Sequence, residues 1–279
     1  MDPLIVRLSG WDGLPLHVRV WPGGDSLCPI LCLPGLVRTG GDFEMLVPHI
    51  GSGRLMVAID YAGRGDSGRT RAVERYAPEA CARDAADVCA ALHMHRAVVI
   101  GTSFGGLLAM GLAAMRPGLV RAVVLNDIGP DIGREGADFV RSFVGDDPAL
   151  ESLDACVAFL KSCLPPLSLH TEDSWRRMAE LTYRRGDDGR FHSLWDTRIV
   201  KLMHRPPPDL WPLFGALHHA PILLARGAVS NILLAETVTQ MLARRPDMQV
   251  VTLPGIGHAP ILTEPAALEA IQAFLGRIA

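Results

Sequence analysis

The sequence predicts an α/β fold: a mostly parallel sheet covered on both faces by helices, with a helical cap inserted late in the sheet. Three observations carry this. Short apolar runs bounded by Gly, Pro or Asp recur at 30–33, 55–59, 97–100, 122–125, 222–225 and 248–253. They lack apolar–polar alternation, as do strands buried on both faces. Between them lie helix-length segments at 43–50, 78–92, 107–115, 234–244 and 266–278. Strands alternating with helices imply right-handed βαβ crossovers. The stretch from Leu125 to Ile222 is far longer than one crossover requires, so something is inserted there.

At the start, 4–8 and 16–21 alternate apolar and polar residues around Trp11-Asp12-Gly13, which predicts an antiparallel hairpin. Segment 97–115 is uncharged and contains Gly101 and Gly105 in a GxxxG spacing. Gly101-Thr102-Ser103-Phe104-Gly105-Gly106 interrupts it, so strand, sharp turn and helix is a better reading than a membrane span. The insertion reads as helical at 138–144, 153–163 and 174–183, with Trp175, Met178 and Leu181 at helical spacing. Arg205-Pro206-Pro207-Pro208 is a stiff connector near its end. The expected division is a core of 1–129 and 217–279, with a cap (lid) of 130–216.

Composition narrows the function. Hydrophobic residues make up 49% of 279 and charged residues 20%, which excludes disordered and low-complexity classes. The net charge of −3, with no basic block, argues against nucleic acid as a partner. Residues 1–7 show neither a basic region nor an apolar leader, so a cytoplasmic location is expected, with no membrane association. Six cysteines form no CxxC pair and no HExxH is present, so neither metal nor cofactor is expected.

Ligands of such sheets bind beyond the carboxyl ends of the strands. Gly101-Thr102-Ser103-Phe104-Gly105 follows one strand and opens a helix, the context in which GxSxG forms a nucleophile elbow with Ser103 at its tip. A serine hydroxyl needs a base, and the base needs orientation. Pro254-Gly255-Ile256-Gly257-His258 follows a late strand and supplies His258. His93, His95, His218 and His219 lie at the wrong ends of strands.

From Pro29 onward the chain resembles the α/β-hydrolase family, in its branch with a helical cap between the sixth and seventh strands. Leu33-Pro34-Gly35-Leu36 matches the oxyanion loop, with Pro34 where most members carry His. Asp60-Tyr61-Ala62-Gly63-Arg64-Gly65-Asp66-Ser67 matches the DxxGxGxS turn, so Arg64-Gly65-Asp66 is the inside of a turn rather than an adhesion motif. The resemblance implies acyl transfer through Ser103 and His258, with an oxyanion hole from the Leu36 and Phe104 amides.

The acid departs from the family pattern, because Asn231 stands where members usually carry Asp. Asp127 is the leading alternative, since some branches take the acid from the end of the sixth strand; a turn-capping role is the competing reading, and Asp131 lies further away. The implied substrate is a small or medium ester, lactone, thioester or amide, or the C–C bond of a diketone-like molecule. A carboxylate nucleophile, needed by dehalogenases and epoxide hydrolases, is absent from the elbow. The scaffold also hosts haloperoxidases, lyases and cofactor-independent oxygenases. Asn231 leaves open a ligand-binding protein or receptor of impaired turnover. Arg38 is the expected ligand for an anionic group, and Trp175, Trp195, Met178 and Phe159 are candidate pocket walls. The cap arginines 176, 177, 184, 185 and 190 read as a solvated face. Oligomeric state is left open.

Overall fold

The computed structural model of the chain describes residues 2–24, 26–51, 53–204 and 208–278; most of the proline connector, 205–207, lies outside them. In chain order the elements are β1 (Leu4–Ser9), β2 (Pro15–Trp21), β3 (Ile30–Leu33), α1 (Val47–Ile50), β4 (Met56–Asp60), α2 (Pro78–Ala91), β5 (Ala97–Thr102), α3 (Phe104–Met115) and β6 (Val120–Asn126). Then come α4 (Arg134–Gly145), α5 (Leu153–Cys163), α6 (Glu172–Glu180), β7 (Tyr183–Arg185), β8 (Phe191–Ser193) and α7 (Trp211–Gly215). The chain finishes with β9 (Ile222–Gly227), α8 (Ala235–Arg244), β10 (Gln249–Leu253) and α9 (Pro265–Leu275).

Eight strands form one sheet in the order β1-β2-β4-β3-β5-β6-β9-β10. The β1–β2 hairpin joins antiparallel to β4, and every later pair is parallel. The strands lack alternation in sequence because both faces are dry. Leu31, Val57, Val99, Val123 and Leu224 face the cluster with α2, α3 and α8, while Ile30, Ala58, Val98, Val124 and Leu223 face α1 and α9. Ridding each such side chain of water contributes about 1.5–3 kcal/mol, which makes the sheet a stiff base for whatever its loops carry.

Two local expectations change. The helix predicted at 43–50 is a 3-10 turn at Gly40–Phe43 followed by α1, which starts only at Val47 because Pro48 is tolerated in a first turn and not in a helix interior. The helix predicted at 174–183 starts at a Thr171–Ser174 capping box and stops at Glu180, and Tyr183 instead begins a strand paired with β8.

The insertion between β6 and β9 adds no strand to the main sheet. It has its own apolar cluster of Val144, Cys156, Leu160, Tyr183, Trp195 and Ile199, joined from the core by Val37, Ala62 and Tyr76. Backbone bonds fasten one edge of it to the turn after β4: Gly65 N donates to Leu194 O at 2.7 Å and Asp196 N to Gly63 O at 2.8 Å. Arg177 and Arg184 reach across to Glu44 and Asp66.

Candidate active site

Ser103 sits between β5 and α3 at φ 52°, in the left-handed region that non-glycine residues rarely enter. The residues two before and two after it must be glycine. A Cβ on Gly105 would lie 1.9 Å from Leu33 O, and one on Gly101 would lie 2.5 Å from the Gly105 backbone. The Ser103 N–H donates to Asn126 O at 2.9 Å, tying the elbow to the end of β6.

His258 stands beyond β10 with Nε2 2.8 Å from Ser103 Oγ and Nδ1 2.8 Å from Asp127 Oδ2. A carboxylate oxygen only accepts, so the Nδ1 proton points at Asp127 and Nε2 presents its lone pair to the serine. Asp127 is fully buried, also at positive φ (53°), and its Oδ1 accepts from Gly227 N at 2.9 Å. Its own N–H donates to Ala225 O at 2.8 Å. The carboxylate is therefore clamped by β9 on one side and by the imidazole on the other. Asn231 lies elsewhere, in the turn after β9, its carbonyl packed against Gly133 and Gly136. Asp131 accepts from Trp211 Nε1 at 3.0 Å.

Leu36, in the loop after β3, lines the cavity into which Ser103 opens, and Phe104 follows Ser103 as the first residue of α3. Among the described residues, neither backbone N–H is taken by an acceptor. Sequence reasoning passed over the residue that fixes this corner. Arg64 is fully buried, donates through Nε to Leu36 O at 2.8 Å, and sits within 6 Å of the Tyr61, Tyr76 and Phe104 rings. Tyr61 Oη donates to Pro34 O at 3.0 Å. With Arg64 buried and bonded to the Leu36 and Ala62 carbonyls, its guanidinium is not presented beside the exposed Asp66 as an adhesion motif would require. Asn126 was also missed; its Nδ2 donates to Thr102 Oγ1 at 3.1 Å and to Pro260 O at 2.8 Å, linking β5, β6 and the His258 loop. The oxyanion-loop match and the Asp60 turn were the signals available: Asp60 accepts from Arg19, from Gly40 N and from Asp66 N, which satisfies its buried carboxylate and holds the turn.

Ser103 opens into a cavity of about 340 Å³ whose walls include Leu36, Phe139, Phe143, Leu160, Met178 and Leu181. Arg38 borders it, but its guanidinium is committed to Asp42 and Thr182. Two expected wall residues are elsewhere. Trp195 is buried in the insertion's cluster, donating to Val144 O at 2.9 Å, and Trp175 donates to Leu169 O at 3.1 Å. Large apolar side chains in the insertion serve its own packing as readily as a cavity wall. Phe159 borders a neighbouring hollow instead, while Met178 does line the cavity.

The family model for the alpha/beta hydrolase family matches residues 30–271. The chain belongs to that family. A 3-hydroxybutyrate-oligomer hydrolase of Cupriavidus necator is 32% identical over 267 residues, covering 91% of each chain. A 2-(acetamidomethylene)succinate hydrolase of Mesorhizobium japonicum is 27% identical over 276 residues, covering 98% of this chain and 96% of its own. The crystal structure of an alpha/beta hydrolase from Novosphingobium aromaticivorans superposes with a TM-score of 0.92 at 36% identity, covering 99% of each chain. The chain is a hydrolase enzyme. Among the described residues, no helix is long and apolar enough to cross a membrane.

Proposed function

We propose that this hydrolase is a serine esterase that works through an acyl-enzyme on Ser103, with His258 as general base and Asp127 as the acid. The carrying observation is the unbroken relay Ser103–His258–Asp127, each link 2.8 Å long. His258 Nε2 takes the hydroxyl proton as Ser103 Oγ attacks the carbonyl carbon. Asp127 stabilises the imidazolium, and the Leu36 and Phe104 N–H groups face the oxygen on which charge develops. His258 then gives its proton to the leaving alcohol, and water activated by the same imidazole releases the acid.

The segment 130–216 acts in this reading as a cap that shapes the substrate cavity. The charged groups at its wall are paired with one another, Arg38 with Asp42 and Arg177 with Glu44, and the rest of the wall is largely apolar. An uncharged ester with an aliphatic chain fits such walls better than a free carboxylate. The resemblance to a 3-hydroxybutyrate-oligomer hydrolase supports linear esters of short hydroxy acids as substrates. The test is labelling of Ser103 by a fluorophosphonate, read by intact mass, with Ser103→Ala as the control. One adduct on the native chain and none on the variant is expected. A native chain that stays unlabelled after prolonged exposure overturns the mechanism.

A further inference from the structure

A second hollow, of about 130 Å³, lies in the insertion beside the Ser103 cavity. Its far side is formed by Pro148, Phe159, Cys163 and Tyr183. Phe139 and Phe143 line both spaces. They stand one turn apart on α4 with ring centroids 6.1 Å apart and planes 26° from parallel. Phe143 also stacks on Trp195 at 5.5 Å. Trp195 is itself fixed by its bond to Val144 O, so α4 is anchored independently of the two phenyl rings.

The rings are apolar and make no hydrogen bond, so nothing polar is left unpaired when they are shortened. Beyond them the Tyr183 hydroxyl is buried with no hydrogen-bond partner among the described residues. A buried hydroxyl without a partner is uncommon and marks a place where an acceptor is missing. An ester or hydroxyl oxygen carried by a chain that reached this far would meet that need.

We propose that Phe143, with Phe139, is the end wall that sets how long a linear aliphatic chain the Ser103 cavity accepts, and that the hollow behind it is the continuation subsite for longer chains. The proposal rests on the esterase reading for the identity of the occupant. Shortening Phe143, which borders both spaces, removes part of the wall between the Ser103 cavity and the hollow that Tyr183 lines.

The test is binding of linear 1-alkanols of increasing length to the Ser103→Ala chain, by calorimetry, with and without Phe143→Ala. Each added methylene that finds apolar cover tightens binding by about fourfold. The gain is expected to stop at a defined length in Ser103→Ala and to continue for at least two further methylenes once Phe143→Ala is added. Adding Cys163→Phe, which fills only the outer hollow, is expected to restore the original stopping length. A stopping length that Phe143→Ala does not move overturns the proposal, and so does one that Cys163→Phe does not restore. Should Phe143→Ala fail to melt cooperatively, Phe143→Leu and Phe139→Ala supply the same comparison with less volume removed. Ester turnover is measured in parallel on the Ser103 chains. A stopping length that moves while no ester is cleaved would fault the esterase reading and leave the end wall standing.

Discussion

Around Ser103 the fixed points are backbone. Gly105 packs against Leu33, Gly227 donates to Asp127, and Ser103 donates to Asn126 O, all within a sheet that is dry on both faces. Across the cavity, α6 and β7 reach the core through side chains. The Arg177–Glu44 pair has side chains 45% and 27% exposed, and Arg184–Asp66 56% and 38%. Exposed pairs of this kind contribute about 0–1 kcal/mol each and weaken in salt. The contrast teaches that Ser103, His258 and Asp127 are held in a frame with no slack, while the side-chain ties of α6 and β7 across the cavity can be lost at little cost in stability.

The sharpest way to break this comparison is Asp127→Asn. By the measured behaviour of another Ser-His-Asp enzyme, turnover should fall about 10⁴-fold. Ester hydrolysis with circular dichroism as the folding control checks it, and a loss below tenfold would remove Asp127 from the relay. Asn231→Asp is its partner experiment; because Asn231 does not meet His258, turnover should stay within twofold by ordinary assay precision.

Next in size is Arg64→Met, which keeps an apolar stem among the three rings and removes the donor to Leu36 O. Displacing the Leu36 amide should lower kcat on the order of 10²-fold or less with KM nearly unchanged. A rise in KM at constant kcat would mean that Arg64 serves binding instead. On the other side of the contrast, Arg177→Ala should change kcat little and KM by less than about fivefold, an effect that 1 M salt reproduces in the native chain.

The smallest effect concerns the β7–β8 hairpin. His192 hydrogen-bonds Asp147 first and Asp188 second, and these partners hold its pKa above the ordinary histidine value. A raised histidine stabilises the folded chain below its unfolded pKa, about 6.5, and the contribution fades as pH rises through the higher folded value. The melting-temperature gap between the native chain and His192→Asn should therefore be widest near pH about 6 and narrow as pH increases. A gap that widens with pH would reverse the assignment.

What the sequence disclosed follows the same division. The elbow, the DxxGxGxS turn and the His258 loop were legible because glycine is written wherever two backbones touch, as the clashes at Gly101 and Gly105 make plain. Asp127 was legible through the unusual Asn231. Arg64 was passed over because its partner is a carbonyl 28 residues away, and carbonyls leave no trace in sequence. The cavity wall was read poorly for a related reason. Trp175 and Trp195 stood out by size, whereas Phe139 and Phe143 took their place only once α4 was oriented over the strand ends.

The order of these parts along the chain carries a practical meaning. The loop after β3, Ser103 and Asp127 all occur by residue 127, at the ends of strands that are neighbours in the sheet, and only His258 follows the insertion. The insertion is thus one continuous segment that contains none of those three groups. Several backbone stitches tie it to the core: Pro166 O receives the Gly257 N–H at 2.7 Å, next to the imidazole, Leu194 O receives the Gly65 N–H at 2.7 Å, and the Asp196 N–H reaches Gly63 O at 2.8 Å, so a segment put in its place must supply a partner at each.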